Sequence, residues 1–369
     1  MRYASFILIL SALPFLFSCD TDYKPAARGA NSEILVVMDT TQWNSATYIA
    51  LQETFGNMIL TMPRPQPRFD LRFTGIRTNR DFENIKRHKN VIIVATIDEE
   101  TIVGQLMRGI LSEDIKERIR SGQNFAFPLR DRWYRDQWVL FLSENSDEEL
   151  ASKIINAEQR LVSSLEQVEL QRWTSEVYRR GDQPEVSDQL WENYGWTMRV
   201  QHDYNIGADT VGFVSMRRYL PDNDRWIWIS WLDNIHNIDH IDEQWINARR
   251  DSLLRRHIRG SRDDSHVMTD YRRPIQTRTT TINNKFTWET QGIWRMQGDA
   301  MAGPFINYTM YDDELDRLYL VEYAQFSPRF PQRDFLYQFK SMIRTFRSDS
   351  TFDIDSYPDF DPFTQILPD

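Results

Sequence analysis

The sequence predicts an α+β protein, with an N-terminal α/β domain that has a mixed sheet and a C-terminal antiparallel sheet with helices on one face. Apolar strand-like segments alternate with helical segments in the first half, whereas strands follow one another directly in the second half. The 369 residues also exceed what a single hydrophobic core usually holds. We therefore expect two domains, over residues 33–175 and 185–347.

The N-terminus has the organisation of a secretory signal peptide. Arg2 supplies a positive charge, and an apolar segment over residues 6–17 follows it. This segment is too short to cross a bilayer, because a transmembrane helix needs about 20 apolar residues. We predict a signal peptide over residues 1–18.

Cys19 directly follows the apolar segment and is the only cysteine in the chain. The stretch Leu16-Phe17-Ser18-Cys19 resembles a lipobox, in which an aliphatic residue stands three positions before a lipidated cysteine. A secreted protein held by disulfides would carry cysteines in pairs. We expect acyl chains such as palmitate on Cys19, which anchor a protein through about 0.8 kcal/mol per buried methylene. The alternative is an ordinary cleaved signal peptide with a chance cysteine.

Strands and helices alternate through the first half. Residues 19–32 lack apolar periodicity and predict a lipidated, flexible tether. Apolar segments predict strands over residues 33–38, 69–74, 91–97, 125–129 and 137–142. Helical spacing predicts helices over residues 43–58, 79–88, 99–120 and 147–173. Ser146 and Glu149 form a capping-box pattern at the start of the last of these helices.

Strands dominate the second half, which begins after turn-forming residues 181–184. Strands are expected over residues 196–204, 210–219, 226–232, 278–282, 286–296, 305–311 and 318–326. Helices are expected over residues 241–258 and 331–346. This order is typical of one antiparallel sheet with its helices on one face. Residues 348–369 are rich in aspartate, lack lysine and arginine, and predict an acidic disordered tail.

The second half also carries the segments Gly303-Pro304-Phe305-Ile306-Asn307-Tyr308 and Leu318-Tyr319-Leu320-Val321-Glu322-Tyr323, followed by Ser327-Pro328 and Arg333. These segments resemble the C-terminal signature of an uncharacterised lipoprotein family of Bacteroides-like bacteria, annotated only as a domain of unknown function. The resemblance implies an envelope location and this architecture, and it brings no catalytic residues. The order of strands and helices is also similar to that of PsbP and Mog1 proteins, a likeness of topology that does not carry function.

The charge and the motifs restrict the function. The formal net charge of −10 argues against nucleic acid as a partner. The sequence contains no phosphate-binding loop, no dinucleotide-binding glycine pattern, no nucleophile elbow and no paired cysteines, so we expect no cofactor and name no catalytic residue. Carboxylate pairs of the kind found in glycosidases cannot be recognised without three dimensions.

Aromatic residues give one candidate ligand site. The predicted strand at residues 226–232 places Trp226 and Trp228 on one face and Trp231 on the other. Exposed indoles could stack on a sugar ring or an apolar peptide. The alternative is that these indoles pack inside the protein.

Two further clusters surround the helix predicted at residues 241–258. His236 and His240 have the four-residue spacing of metal ligands on a helix, but they precede the helix, so we predict no metal site. Arg255, Arg256 and Arg259 share one side of the helix. This patch could contact a phosphate or a lipid headgroup, and the alternative is a simple solvent-facing surface.

Together these observations favour a lipid-anchored protein of the cell envelope, in the outer membrane, that acts as a non-catalytic binding or scaffold module. Its partners would be the membrane, through the anchor, and an envelope protein. The alternative function is a surface lipoprotein that binds or hydrolyses glycans. That function requires a cleft in which an indole lies beside carboxylates about 5 to 10 Å apart.

Overall fold

The computed structural model describes residues 23–349 and 351–354. The predicted signal peptide, Cys19 and most of the predicted acidic tail lie outside the described residues. Within the described part of the chain, no helix is both long enough and apolar enough to cross a membrane. The described elements confirm the α+β class.

The first half forms a five-stranded mixed sheet in the order β4-β1-β5-β7-β6. Its strands, with a small separate β2–β3 hairpin, are β1 (Glu33–Val37), β2 (Met58–Ile59), β3 (Gln66–Pro67), β4 (Asp70–Thr74), β5 (Asn90–Val94), β6 (Ala126–Arg130) and β7 (Trp138–Leu142). Its helices are α1 (Ala46–Phe55), α2 (Asn79–Ile85), α3 (Ile102–Ile110), α4 (Glu113–Arg120), α5 (Asp147–Asn156) and α6 (Glu158–Val177). Only β6 runs antiparallel to its neighbour.

Hydrophobic cores cover both faces of this sheet. Side chains from α1, α5 and α6 pack on one face, and side chains from α2, α3 and α4 pack on the other. Strand β5 contributes Ile92 and Val94 to the first core and Val91 and Ile93 to the second. Burial on both faces explains why this strand is a continuous apolar segment in the sequence.

The second half forms an eight-stranded antiparallel sheet in the order β11-β13-β14-β15-β10-β9-β8, and β12 also pairs with β13. Its strands are β8 (Asn205–Thr210), β9 (Phe213–Leu220), β10 (Asn223–Leu232), β11 (Val267–Thr269), β12 (Gln276–Ile282), β13 (Lys285–Met296), β14 (Ala302–Asp312) and β15 (Arg317–Phe326). Its helices are α7 (Pro184–Tyr194), α8 (Glu243–His257) and α9 (Arg333–Met342).

The antiparallel sheet differs from the expectation in that its helices lie on both faces. Residues of α7 and α9 pack with one side of the sheet, whereas α8 packs with the opposite side through Ile246, Leu253 and Leu254. The alternation of large apolar residues on both sides of β10 requires this arrangement, because each apolar face must be covered.

The structure differs from the sequence-based expectation at three local positions. The single helix expected over residues 147–173 is divided at Ala157, which leaves the helical conformation. Pro184 begins α7 rather than marking only a domain boundary, since the first helical residue has no intrahelical N–H bond to lose. Residues 196–204 form isolated bridges instead of a regular strand, because their partners are single residues of neighbouring loops.

The segment that precedes β1 does not form a flexible tether where the structure describes it. Ala27 and Arg28 donate backbone hydrogen bonds to Arg135 and Arg87, and Arg135 donates in turn to Pro25. Ala27 is buried. Backbone pairing therefore compensates for the missing apolar periodicity in this part of the predicted tether.

The start of the predicted acidic tail is also held against the fold. Lys285 lies 2.8 Å from Asp349 and 2.9 Å from Asp312, and the Ser348 hydroxyl donates to Asp312. Phe352 contacts the Trp191 ring edge to face. The composition of the tail predicts disorder, but at this end its Asp349 carboxylate pairs with Lys285 in a cluster that also includes the buried Asp312.

Candidate binding cleft

A cleft lies where the two sheets and their helices meet. The N-terminal wall consists of β2 and α6, and the C-terminal wall consists of β12, β13 and α9. Two cavities of about 330 and 960 Å³ share Arg68, Glu166, Thr277 and Arg278, so they form one continuous cleft. Clefts between domains are common sites of ligand binding.

Contacts between the two halves fix the width of the cleft. The side-chain oxygen of Gln66 accepts hydrogen bonds from the backbone N–H groups of Gln332 and Arg333, each at 2.8 Å, and so caps α9 from the other half of the chain. The buried Arg333 guanidinium donates to the Pro67 carbonyl and to Asp70, each at 2.9 Å. Helix α9 therefore begins at a position set by the N-terminal half.

Helices α6 and α9 contact each other where the two halves of the chain meet. Tyr337 packs with Leu170 and Trp173, and its hydroxyl donates to Glu166 at 3.2 Å. Burial, and then the Glu166 carboxylate, raise the pKa of Tyr337 well above its ordinary value. Tyr337 therefore remains a neutral donor to Glu166, which lines the cleft.

Glu289 is the main buried charge of the cleft. Its carboxylate lies 2.9 Å from the Arg278 guanidinium and 3.5 Å from the Lys340 ammonium, and it accepts from Gln291 at 2.6 Å and from Tyr308 at 3.0 Å. Burial alone would raise the pKa of Glu289, but Lys340 and Arg278 outweigh burial and lower the pKa to about 2. Glu289 is therefore a permanent anion near neutral pH.

Helix α6 and strand β12 form the longest walls of the cleft. The α6 side presents Gln159, Ser163, Glu166, Gln167 and Leu170, which the helical repeat places on one face. The β12 side presents every residue in the range 276–280. Amides, hydroxyls and paired charges thus line the cleft, and this arrangement can hold a polar ligand through many hydrogen bonds.

Trp226 and Trp228 do not line this cleft. Both are buried, and they pack with Trp294, Phe305 and residues of α8 on the outer face of the antiparallel sheet. These two indoles pack inside the protein and do not form an exposed platform, because α8 covers the face of β10 on which they lie. The lining of the cleft, among the described residues, includes no tryptophan.

His236 and His240 have different partners. His236 lies 3.1 Å from Asp316, whereas His240 packs edge to face against the Trp245 ring. Both precede α8, so the helical spacing of metal ligands does not apply to them. In the described ranges, no three side chains of the types that bind metals come together.

Arg255 and Arg256 lie on the exposed last turn of α8, whereas Arg259 lies beyond the end of the helix and forms an isolated β-bridge with His266, so the helical spacing does not extend to it. With His266 the three arginines line a shallow surface cavity of about 570 Å³ that is separate from the cleft. The Arg255 guanidinium donates to the His266 ring at 3.4 Å. Contact of this patch with a phosphate or a lipid headgroup stays a prediction.

The residues that build the cleft were not among the sequence-based candidates. One signal was present, since β13 interrupts its apolar pattern with Glu289 and Gln291. The charged partners of Glu289 come from β12 and from α9, whose Lys340 lies 51 residues further along the chain. Such a cluster requires the three-dimensional fold, because no local spacing connects its members.

The structure is an α+β protein with a mixed sheet in its first half, an antiparallel sheet in its second half and a polar cleft between the two halves. Residues 27–178 match the family model described as domain of unknown function DUF8532, and residues 183–345 match the model described as domain of unknown function DUF4837. Two domain models of unknown function therefore cover most of the chain, which agrees with the resemblance to a domain of unknown function. The bacterial group stays a prediction.

Comparisons with solved structures and with curated proteins give no evidence about the function of this chain. The Ran-binding protein Mog1p of Saccharomyces cerevisiae is 11% identical, with a TM-score of 0.29 over 43% of this chain and 94% of that chain. A Mog1 variant with a glutamate-to-alanine substitution is 9% identical, with a TM-score of 0.29 over 42% of this chain and 92% of that chain. No curated protein matches this chain. These likenesses carry no functional argument.

Proposed function

We propose that this protein is a lipid-anchored module of the cell envelope that binds a ligand in the cleft without transforming it. The observation that carries this proposal is the fixed charge state of the cleft. Glu289 has a pKa of about 2, and the pKa values of Tyr308 and Tyr337 are raised well above the ordinary range. These groups keep the same protonation state throughout the physiological pH range.

Fixed protonation supports binding rather than acid–base catalysis. A general acid or base works best when its pKa lies near the working pH, because it must both give and take a proton. Glu289 would remain ionised, and the two tyrosines would remain neutral. Such groups instead form a constant pattern of donors and acceptors, which is what the recognition of a polar ligand requires.

The proposed anchor is Cys19, supported by the apolar segment and the Leu16-Phe17-Ser18 pattern before it. Two or more acyl chains would hold the domains at a membrane surface, and we place them at the outer membrane. The proposed partner is another envelope protein. A glycan ligand has less support, because the indoles expected to stack on a sugar are in the core.

Site-specific photo-cross-linking in intact cells tests this function. A photoreactive phenylalanine analogue replaces Gln167 in the cleft wall, and a matched variant carries it at Gln244 on the exposed first turn of α8. We expect a discrete adduct in the membrane fraction from position 167 and none from position 244. Lack of an adduct at 167, or the same adducts at both positions, would contradict a ligand in the cleft.

The adduct also separates the two functions by its composition. Mass spectrometry of the purified adduct identifies its second component: peptides that do not come from this chain support a protein partner, whereas attached sugars support the glycan alternative. Catalysis would instead appear as release of a cleaved product, which the proposed function does not allow.

A further inference from the structure

We propose that an extended peptide segment of the partner occupies the cleft by adding a strand to the free edge of β12. This inference rests on the proposed function, because it names the class of ligand that the same cleft takes. Four features of the cleft support it: the way β12 lines it, the direction of the β12 amides, the helix opposite, and the absence of a proline or a bulge in β12.

The cleft follows the edge of β12 rather than one of its faces. Every residue from Gln276 to Thr280 lines it, although neighbouring side chains of a strand point to opposite faces. Successive residues can reach one cavity only if that cavity runs along the backbone edge. The other edge of β12 is occupied, since the strand pairs with β13 along its whole length.

The hairpin register shows which β12 amides face the cleft. Asn283 and Asn284 form its two-residue turn with φ of 50° and 63°, so the flanking residues of the turn form a hydrogen-bonded pair. Bonding alternates along an antiparallel ladder. Thr277, Thr279 and Thr281 therefore turn their N–H and C=O groups away from β13. Outside the strand ladders, these three residues make no backbone hydrogen bond within the described chain.

Helix α6 lies opposite this edge and gives the groove a length that fits a short strand. From Gln159 to Leu170 the helix rises about 16 Å at 1.5 Å per residue, and residues 276–280 of β12 span about 13 Å at 3.3 Å per residue. An extended peptide of about five residues fits this length. A groove between a strand edge and a helix is one of the ways in which proteins add a peptide as a new strand.

Unlike two other edge strands, β12 contains neither a proline nor a bulge. Strand β6 at one edge of the mixed sheet contains Pro128, and β8 at one edge of the antiparallel sheet has a bulge between Ile206 and Asp209. Strand β12 has seven residues without a proline or a bulge. Proteins usually protect strand edges from the addition of further strands. An edge without a proline or a bulge inside a cleft therefore favours a role in binding an added strand.

The side chains around the edge indicate a polar, uncharged peptide. Arg278 is already paired with Glu289, and Arg68 lies 3.6 Å from Glu158. Apart from Glu166, which accepts from Tyr337, and Arg344, the remaining polar groups on both walls are threonine and serine hydroxyls and glutamine amides. Backbone pairing would supply the affinity, and these neutral groups would hydrogen-bond to alternate side chains of the peptide.

Peptide selection with a matched pair of variants tests the inference. The full mature chain in detergent is used to select from a phage-displayed library of random eight-residue peptides, and one selected peptide is synthesised as the probe. Thr279→Pro removes an outward N–H without breaking the β13 ladder, whereas Thr279→Ala keeps it. We expect Thr279→Pro, which loses both the hydroxyl and the outward N–H, to bind the probe about tenfold more weakly than Thr279→Ala, which loses only the hydroxyl.

A second measurement does not depend on how the protein variant folds. Each amide of the probe is N-methylated in turn, and strand addition predicts that alternate positions lose binding while the positions between them keep it. Equal binding by Thr279→Pro and Thr279→Ala, no alternation, or no selected peptide overturns the inference. The proposed function fails separately, when position 167 gives no cross-link in cells, and a non-peptide adduct at 167 keeps that function while removing this inference.

Discussion

Replacing Glu289 with glutamine probes the buried charge that defines the cleft. The substitution keeps the shape of the side chain and removes its charge, and the side chain is only 5% exposed. Its folded-state pKa of about 2 lies below the ordinary value of 4.5. At 1.36 kcal/mol per pKa unit, this shift corresponds to about 3 kcal/mol of stability.

The sign of the effect follows from the direction of the shift. Because folding lowers the pKa of Glu289, the ionised carboxylate favours the folded state. Its contribution is complete above about pH 4.5 and is lost as the pH falls toward about 2. The wild type should exceed Glu289→Gln by about 3 kcal/mol in free energy of unfolding at pH 7, and this difference should disappear in strong acid.

Urea unfolding followed by tryptophan fluorescence at pH 7, 4, 3 and 2 measures this difference. Glu113→Gln is the matched control, since Glu113 is also paired with a lysine but has an 88% exposed side chain. We expect a much smaller change for the control at every pH, because an exposed ion pair is screened by water and contributes little to stability. A difference between wild type and Glu289→Gln that is small at pH 7, or that does not change with pH, would refute the assignment of Glu289 as a buried, permanent anion.

Three other substitutions test the anchor and the core. Cys19→Ser should move the protein from the membrane fraction to the soluble fraction on cell fractionation, and retention at the membrane would contradict lipidation. Arg250→Met removes the bidentate partner of fully buried Glu322, whose carboxylate accepts from Arg250 at 2.7 and 2.8 Å, and should lower the free energy of unfolding in urea by about 3–5 kcal/mol. The double variant Arg250→Met with Glu322→Leu should recover much of this loss. No recovery would contradict the explanation that the loss comes from leaving the Glu322 charge unpaired. Gly303→Ala would bring a methyl group against the backbone oxygen of Gln325, so its thermal midpoint should fall by several degrees, and an unchanged midpoint would contradict the close approach of β14 to β15.

The sequence predicts most individual elements because their causes are local. Buried strands such as β5 and β7 appear as continuous apolar segments, and Ser146 caps α5 by accepting from the Glu149 N–H, at the position where the capping pattern places it. Periodicity and caps are properties of neighbouring residues, so they can be recognised without knowing the fold.

The features that the sequence does not reveal depend on distant partners. Trp226 and Trp228 could be recognised as neighbours on one face of a strand, but only the position of α8 decides that this face is buried. Similarly, the cleft needs Gln66 to cap α9 across 266 residues of sequence. This cap cannot be recognised from the local sequence, because Gln332, at the N-cap position of α9, makes no side-chain capping hydrogen bond.

Amide hydrogen exchange with and without the captured partner tests the central claim most directly. The account predicts that the partner slows exchange at the outward amides of Thr277, Thr279 and Thr281, while Arg278 and Thr280, whose amides already pair with β13, change little. Protection confined to other surfaces, such as the exposed side of α8, with unchanged exchange along β12, would contradict the proposal that the cleft is the binding site.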